Sequence, residues 1–201
     1  MKRPAFINLK TTTSFLLFAL LLSLTNCSES KYSKLVKNEM ASGVIHDSLI
    51  FGMKFGQTRQ QFYDSCWKLN NEERVTHGPN NKFVAYKLPQ KDTTDLKNAI
   101  TMFFYGVFNE ENIMTGMDFQ FSHDAWSLWN KNMQSDRLVL SVKDSLKKWY
   151  PGNDFITVHL PKDTTDIFVK IDGNRRITIK PLDDSRIVKT RIDDLRYILD
   201  K

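Results

Sequence analysis

The spacing of hydrophobic positions changes several times along this chain, which predicts a succession of helices and strands. Residues 58–70 carry apolar side chains at helical spacing, and Thr58 and Gln61 stand three residues apart, as in a helix capping box. The apolar side of this helix consists of Phe62, Cys66 and Leu69, with Tyr63 and Trp67 beside them. Residues 49–56 form a short apolar run ending in glycine, so a strand and a turn are expected there. Residues 70–81 are rich in turn-forming residues and are expected to be a loop.

Three strands are predicted next, at residues 82–88, 96–108 and 113–121. The third alternates between two sets of side chains, whereas the second is apolar on both faces, which indicates that both of its faces are covered. Residues 109–112 (Asn-Glu-Glu-Asn) form a turn between these two strands. This part of the chain is therefore expected to be a helix followed by an antiparallel meander of three or four strands.

The second half of the chain repeats this order. An apolar stripe at helical spacing comes first and consists of Leu138, Val142, Leu146 and Trp149. The predicted strands follow at residues 154–160, 166–171, 175–180 and 186–192, and a short helical tail comes after them. Gly173 and Asn174 both accept a positive φ angle, which predicts a hairpin turn. The pattern as a whole predicts an α+β fold of two helix-on-antiparallel-sheet units, at residues 49–122 and 123–201, packed as one body.

A short sequence echo bears on the relation between the two units. Residues 88–95 (LPQKDTTD) resemble residues 160–166 (LPKDTTD), and each segment comes after a helix and one strand. A duplicated αβββ unit explains this echo. Two unrelated turns that happen to use similar sequences explain the echo equally well.

The first 26 residues have the features of a removable export signal. The basic residues Lys2, Arg3 and Lys10 precede an uncharged, leucine-rich segment at residues 14–24. This segment is much shorter than the roughly 20 apolar residues that a helix needs to cross a bilayer. Its length and its basic flank are typical of a signal peptide.

The end of this signal resembles the lipobox of bacterial lipoproteins. The residues are Leu24-Thr25-Asn26-Cys27, and Asn26 stands where lipoboxes usually have a smaller residue. The resemblance implies that Cys27 is acylated and becomes the first residue after cleavage. Acyl chains there would anchor the protein stably to a membrane without spanning it. An ordinary secretory signal followed by an incidental cysteine is the alternative.

The charge balance depends on this leader. The whole chain has 29 Lys and Arg against 23 Asp and Glu, a formal net charge of +6. Three of the basic residues and no acidic residue lie in the first 26, so the remainder carries +3. That value lacks the basic footprint of a nucleic-acid-binding protein, and no nucleic-acid partner is expected. Residues 27–48 are polar and weakly periodic, which favours a tether between the anchor and the body; order of its second half against the body is left open.

Nothing in the sequence predicts catalysis or metal binding. The four histidines, at His46, His77, His123 and His159, lack metal-ligand spacing, and no nucleophile elbow or phosphate-binding loop occurs. Cys66 is expected to be a small core residue rather than a nucleophile. Asp124, next to His123, is expected to cap the turn that follows it. No enzymatic activity, cofactor or metal is therefore expected.

Large aromatic residues near the junction of the two units form the candidate binding surface. Its members are Tyr105, Phe119, Trp126 and Trp129. They are interpreted either as the core between the units or as a partly exposed recognition patch, because Trp and Tyr favour interface centres. A polar sheet face that includes Arg176, Thr178 and Lys180 is expected to be solvated; attraction of an anionic partner or lipid headgroup is the alternative.

Residues 47–70, 118–129 and 169–179 resemble a family of uncharacterised lipoproteins from Bacteroidetes. The resemblance covers most of the chain after Cys27 and implies a lipoprotein without a known activity. Gly56-Gln57-Thr58 and the helix after them also resemble two proteins at the level of fold. These are the small lipoprotein of the outer-membrane β-barrel assembly machine and the tandem helix-on-sheet units of β-lactamase-inhibitor proteins.

The sequence thus predicts a lipid-anchored protein of the bacterial cell envelope, at the outer membrane. Its expected role is to bind or scaffold another envelope protein through a surface that the two units form. The alternative is an inhibitor-like or small-ligand-binding lipoprotein with an aromatic pocket between the units.

Overall fold

The computed structural model describes residues 29–79, 82–90, 98–159, 166–181 and 184–199. The predicted leader and Cys27, the predicted lipid acceptor, therefore lie outside the described residues, as does most of the sequence echo. The chain divides into a unit of residues 1–34 and a compact unit of residues 35–201, and the sheet lies in the second.

The described residues form four α-helices and eight strands. The helices are α1 (Lys31–Ala41), α2 (Arg59–Asn71), α3 (Ser135–Trp149) and α4 (Arg196–Leu199). The strands are β1 (Thr76–His77), β2 (Val84–Lys87), β3 (Ile100–Phe108), β4 (Met114–His123), β5 (Ile156–Val158), β6 (Ile167–Asp172), β7 (Arg175–Pro181) and β8 (Val188–Asp194). They make one antiparallel sheet in the order β1-β2-β3-β4-β8-β7-β6-β5. The predicted α+β fold is confirmed.

The two halves of the chain meet inside this sheet. β4 pairs with β8 from Gly116 opposite Asp193 to Phe121 opposite Val188. Each half thus contributes four strands, and hydrogen bonds between backbones join the two meanders.

The core lies on one face of the sheet, under α3. Phe104, Phe119 and Phe121 are fully buried there with Ile177 and Ile192. Helix α3 adds an apolar stripe of its own, which matches the predicted helical spacing and consists of Leu138, Val142 and Leu146. Alternation along the strands sends the intervening side chains to the opposite face.

The capping box predicted at the start of α2 is confirmed. The Thr58 hydroxyl accepts the backbone N–H of Gln61 at 3.2 Å, and the Gln61 side chain accepts the N–H of Thr58 at 2.8 Å. These two bonds satisfy helix-terminal donors that no intrahelical carbonyl reaches. They fix where α2 begins.

Two local predictions before and after α2 are wrong. Residues 49–56 do not form a strand, because Ile50–Gly52 is a 3₁₀ turn in which Phe51 has a φ of 56° and Gly52 a φ of 77°. The loop expected at residues 70–81 contains the short edge strand β1. A strand of two residues is too short to give a periodic signal.

The second half of the segment predicted as a tether, residues 27–48, is ordered against the body, an arrangement that its sequence left open. The chain is helical from Lys31, and residues 39–46 are bound to the hairpin between β6 and β7. The Glu39 carboxylate accepts the backbone N–H of Gly173 at 2.8 Å, and the Asn174 side chain accepts the N–H of His46 at 2.6 Å. Gly173 has a φ of 53°, which confirms the hairpin turn.

Candidate functional site

A groove of about 590 Å³ lies between α2 and the strands β1, β2 and β3. Its walls are rich in aromatic side chains, which come from α2, from the residue before β2 and from the end of β3. These rings are Phe62, Tyr63, Trp67, Phe83, Tyr105 and Phe108. Arg59, His77, Lys82 and Arg191 supply nitrogen-bearing side chains to the same walls.

The groove exists because β2 is shorter than β3. β2 begins at Val84, which lies opposite Phe104, so its pairing leaves out the last four residues of β3, Tyr105 to Phe108. No described strand pairs with that side of these four residues. Helix α2 borders the gap instead, and Phe62 of α2 meets the Phe108 ring edge-on at a centroid distance of 5.7 Å.

Two aromatic side chains on α2 remain exposed at the border of the groove. Tyr63 is 52% exposed and Trp67 is 71% exposed, although Phe62 and Leu69 of the same helix are buried. Tyr63 and Trp67 are one helical turn apart and therefore stand on the same side of α2. The pair leaves apolar area in water, and contiguous exposed apolar surface is a feature of binding sites.

Cys66 lies between these side chains and also lines the groove. Burial raises the pKa of its thiol to about 12. The reactive form of cysteine is the thiolate, so this thiol is unreactive near neutral pH. The geometry therefore places Cys66 in the wall as an apolar group.

A chain of hydrogen bonds holds two residues of the groove wall, Tyr105 and Arg191. The Tyr105 hydroxyl donates to Asp118 at 2.7 Å, and the Arg191 guanidinium donates to Asp118 at 3.1 Å and to Asp193 at 2.6 Å. Arg176 completes the chain with a 2.9 Å bond to Asp193. The chain crosses the adjacent strands β3, β4, β8 and β7 on the face opposite the core.

Two members of this network, Tyr105 and Arg191, have shifted pKa values. Burial and the hydrogen bond to Asp118 raise the pKa of Tyr105, so Tyr105 is a neutral phenol. Burial lowers the pKa of Arg191, but the bonds to Asp193 and Asp118 outweigh burial and raise it overall. Both carboxylates are nearly inaccessible, with side chains 4% exposed. Arg191 is thus held in place, and its charge is balanced before any ligand arrives.

The structure does not bring the four residues of the candidate binding surface together. Phe119 is fully buried in the core, whereas Tyr105 points to the other face because it lies opposite Asp118, one residue before Phe119. Trp129 is 88% exposed, and Trp126 is half-buried beneath Arg186. Of the four, Tyr105 alone lines the groove, so the predicted aromatic pocket between the two units is wrong.

Most of the groove residues were missed by sequence reasoning. Tyr63 and Trp67 carried a usable signal, since they lie beside the buried stripe of α2 rather than on it. Phe83 and Phe108 carried none, because their place in the groove depends on where β2 stops pairing with β3.

Asp124 bonds residues other than its neighbour His123 in the structure. Asp124 accepts a hydrogen bond from the Thr101 hydroxyl and lies 3.3 Å from the Lys87 ammonium, so its expected role as a turn cap is wrong. Burial lowers the pKa of His123. The part of the chain that the structure describes contains no group of three or more His, Cys, Asp or Glu that could hold a metal ion.

None of the described helices is both long enough and apolar enough to cross a membrane. No family model matches the chain, and neither the curated proteins nor the solved structures contain a match. The resemblance to lipoproteins of Bacteroidetes therefore stays a prediction, and the site is characterised by its geometry.

Proposed function

We propose that this chain is a lipid-anchored binding protein of the bacterial cell envelope, and that the groove beside α2 is its binding site. The observation that carries the proposal is a ring-lined groove of about 590 Å³, a size within the usual range of ligand sites. A neutral thiol and a neutral phenol in its walls fit binding better than catalysis.

The walls of the groove are organised before a ligand binds. The capping box fixes the start of α2, and the Asp118 carboxylate fixes Tyr105. Preorganised walls reduce the entropy that is lost when a ligand binds. This supports binding as the role of the groove.

The groove is tested by photo-crosslinking in living cells. A benzoylphenylalanine placed at Trp67 is expected to form an adduct whose mass identifies the bound molecule. The same residue at Arg137, an exposed position of α3, is the control and is expected to form none. Equal adduct yields at the two positions would contradict a specific site at α2.

The anchor is tested separately by cell fractionation. Cys27→Ser is expected to move the protein from the membrane fraction to the soluble fraction, whereas Cys66→Ser is expected to leave it in the membrane. Membrane retention of Cys27→Ser at the level of the natural chain would remove the lipid anchor from the proposal.

A second candidate function is contact with another envelope protein through the loop between β4 and α3. Leu128 is 60% exposed and Trp129 is 88% exposed in this loop, and two adjacent apolar side chains of this kind favour a contact surface. Crosslinking from position 129 is expected to give an adduct of protein mass if this surface is used. The absence of such an adduct would leave the groove as the one candidate.

A further inference from the structure

We propose that the groove binds a single-chain amphiphile that carries one carboxylate, with the carboxylate on Arg59 and the apolar chain along α2 toward Trp67. This inference rests on the proposed function, since it names the ligand class of the same groove.

The charge of the groove walls points to an anionic ligand. Four of the lining side chains are Arg, Lys or His, and no described lining residue is Asp or Glu. Arg191 is already balanced, because Asp118 and Asp193 both accept from it. Arg59 is different, since no described carboxylate forms an ion pair with it.

Arg59 is positioned to receive a carboxylate. Its Cζ atom lies 4.7 Å from the centroid of the Phe108 ring, which is a cation–π contact. No described residue accepts a hydrogen bond from the Arg59 guanidinium, so its N–H groups are available to a ligand. Those groups match the two oxygens of a carboxylate. The backbone N–H of Arg59 donates to Asn112 at 2.9 Å, which fixes the residue at the first position of α2.

The remaining walls fit an apolar chain. From Arg59 to Trp67 the helix rises about 12 Å, at about 1.5 Å per residue, so the acid and the exposed indole are separated by the length of a medium acyl chain. Phe83, just before β2, and Val107 of β3 line the same space. A ligand with a carboxylate and an apolar chain can bind the Arg59 guanidinium and cover the exposed rings of α2 at the same time.

The test uses the full lipidated chain in vesicles with two photoreactive probes of equal chain length. One probe is a diazirine-bearing dodecanoic acid and the other is the matching dodecanol. The ratio of acid labelling to alcohol labelling is measured by mass spectrometry, which cancels differences in protein amount. The variants are Arg59→Gln, Arg59→Lys and Trp67→Ala, with Arg137→Gln as a control that removes the same charge from an exposed arginine on α3.

In the natural chain we expect the acid probe to label residues of α2 and β3. The ratio of acid to alcohol labelling at these residues is expected to be well above the ratio at which the two probes label lipid in vesicles without protein. Arg59→Gln is expected to lower the ratio about tenfold, since one charge-assisted bidentate contact is lost. Arg59→Lys is expected to retain part of the preference for the acid probe over the alcohol probe. Arg137→Gln is expected to leave the ratio unchanged, and Trp67→Ala to reduce labelling by both probes.

Three results would overturn this inference. A ratio unchanged in Arg59→Gln removes the carboxylate from Arg59 while leaving the groove as a site for neutral apolar ligands. An equal fall in Arg137→Gln would mean that net charge, not a site, attracts the acid. Failure of both probes to label α2 and β3, with a peptide adduct from position 67, would assign the groove to a protein partner instead.

Discussion

The ring of Phe108 folds back over Gly106, two residues earlier on the same strand. A Cβ atom at Gly106 would lie 2.6 Å from Cζ of Phe108 and 3.3 Å from Cδ2 of Phe62. No methyl group fits in that space. Because position 106 is glycine, the Phe108 ring can pack against Phe62 and receive the Arg59 guanidinium on the wall of the groove.

Gly106→Ala is therefore expected to push the Phe108 ring away from Phe62. The end of a side chain can move, so we expect a modest loss in unfolding free energy, about 1–2 kcal/mol. The effect on the groove is expected to be larger, with severalfold weaker labelling by the dodecanoic acid probe. Urea unfolding and crosslinking measure the two effects. Normal labelling in a destabilised variant would show that Phe108 is not part of the binding wall.

Gly173→Ala is expected to destabilise the protein more strongly than Gly43→Ala, although both glycines have a positive φ. Its Cβ would lie 2.1 Å from the backbone oxygen of Val44, and backbone atoms cannot rotate away. We expect a loss of about 3 kcal/mol or more from this clash and from the left-handed conformation.

The matched control is Gly43→Ala. Gly43 has a φ of 68°, and a methyl group at this position would have no atom within 4 Å, so the variant bears the conformational cost alone, about 1 kcal/mol. Chemical denaturation of both variants measures the difference. Equal losses would mean that residues 39–46 separate from the hairpin at little cost.

Asp118→Asn is expected to lower the pKa of Tyr105 toward its ordinary value of 10.0. In the natural protein, burial and the bond to the Asp118 carboxylate both raise that pKa. A raised pKa means that Tyr105 contributes stability below pH 10 and loses this contribution as pH rises through the folded-state value. The variant should therefore form tyrosinate at a lower pH.

Ultraviolet absorbance of tyrosinate measures this titration, and Tyr105→Phe identifies the step that belongs to Tyr105. An unchanged titration in Asp118→Asn would contradict the role assigned to the carboxylate. The same variant should lose about 1–3 kcal/mol of unfolding free energy, because Arg191 then keeps one of its two carboxylate partners.

Cys66 is expected to react slowly with iodoacetamide in the folded protein at pH 8. Burial raises its pKa from 9.0 to about 12, so the folded protein holds very little thiolate at that pH. The rate should rise as pH approaches 12. Stability should fall over pH 9 to 12, because the unfolded thiol ionises while the folded one does not.

Mass spectrometry of the peptide that contains Cys66 follows the reaction, with urea-unfolded protein as the reference. Reaction of the folded and unfolded chains at the same rate would contradict the burial of this thiol.

The elements set by local chemistry were predictable from the sequence. Thr58 and Gln61 define the start of α2 by hydrogen bonds between residues three apart, and Gly173 defines a hairpin by its own φ angle. The structure of residues 49–56 was not predictable, because the chain turns there through a positive φ at Phe51. Phenylalanine rarely adopts that conformation.

The site was less predictable, because it depends on pairing between distant strands. Phe119 and Tyr105 were both assigned to one candidate aromatic surface from the sequence, yet the register of β3 and β4 places them on opposite faces of the sheet. Arg191 reaches the groove because β8 pairs with β4, a contact between residues more than seventy positions apart. No periodic pattern contains that information.

The position of β8 between β4 and β7 has a consequence for how the protein acquires its structure. Strands β1 to β4 can pair as each follows the other, and so can β5 to β8, since neighbours in the chain are neighbours in the sheet. Joining the two meanders requires β8, the last of the eight strands to be synthesised. The growing chain therefore stays open along one edge of β4 until its final strand arrives, and the Arg191 side of the groove is completed in that last step.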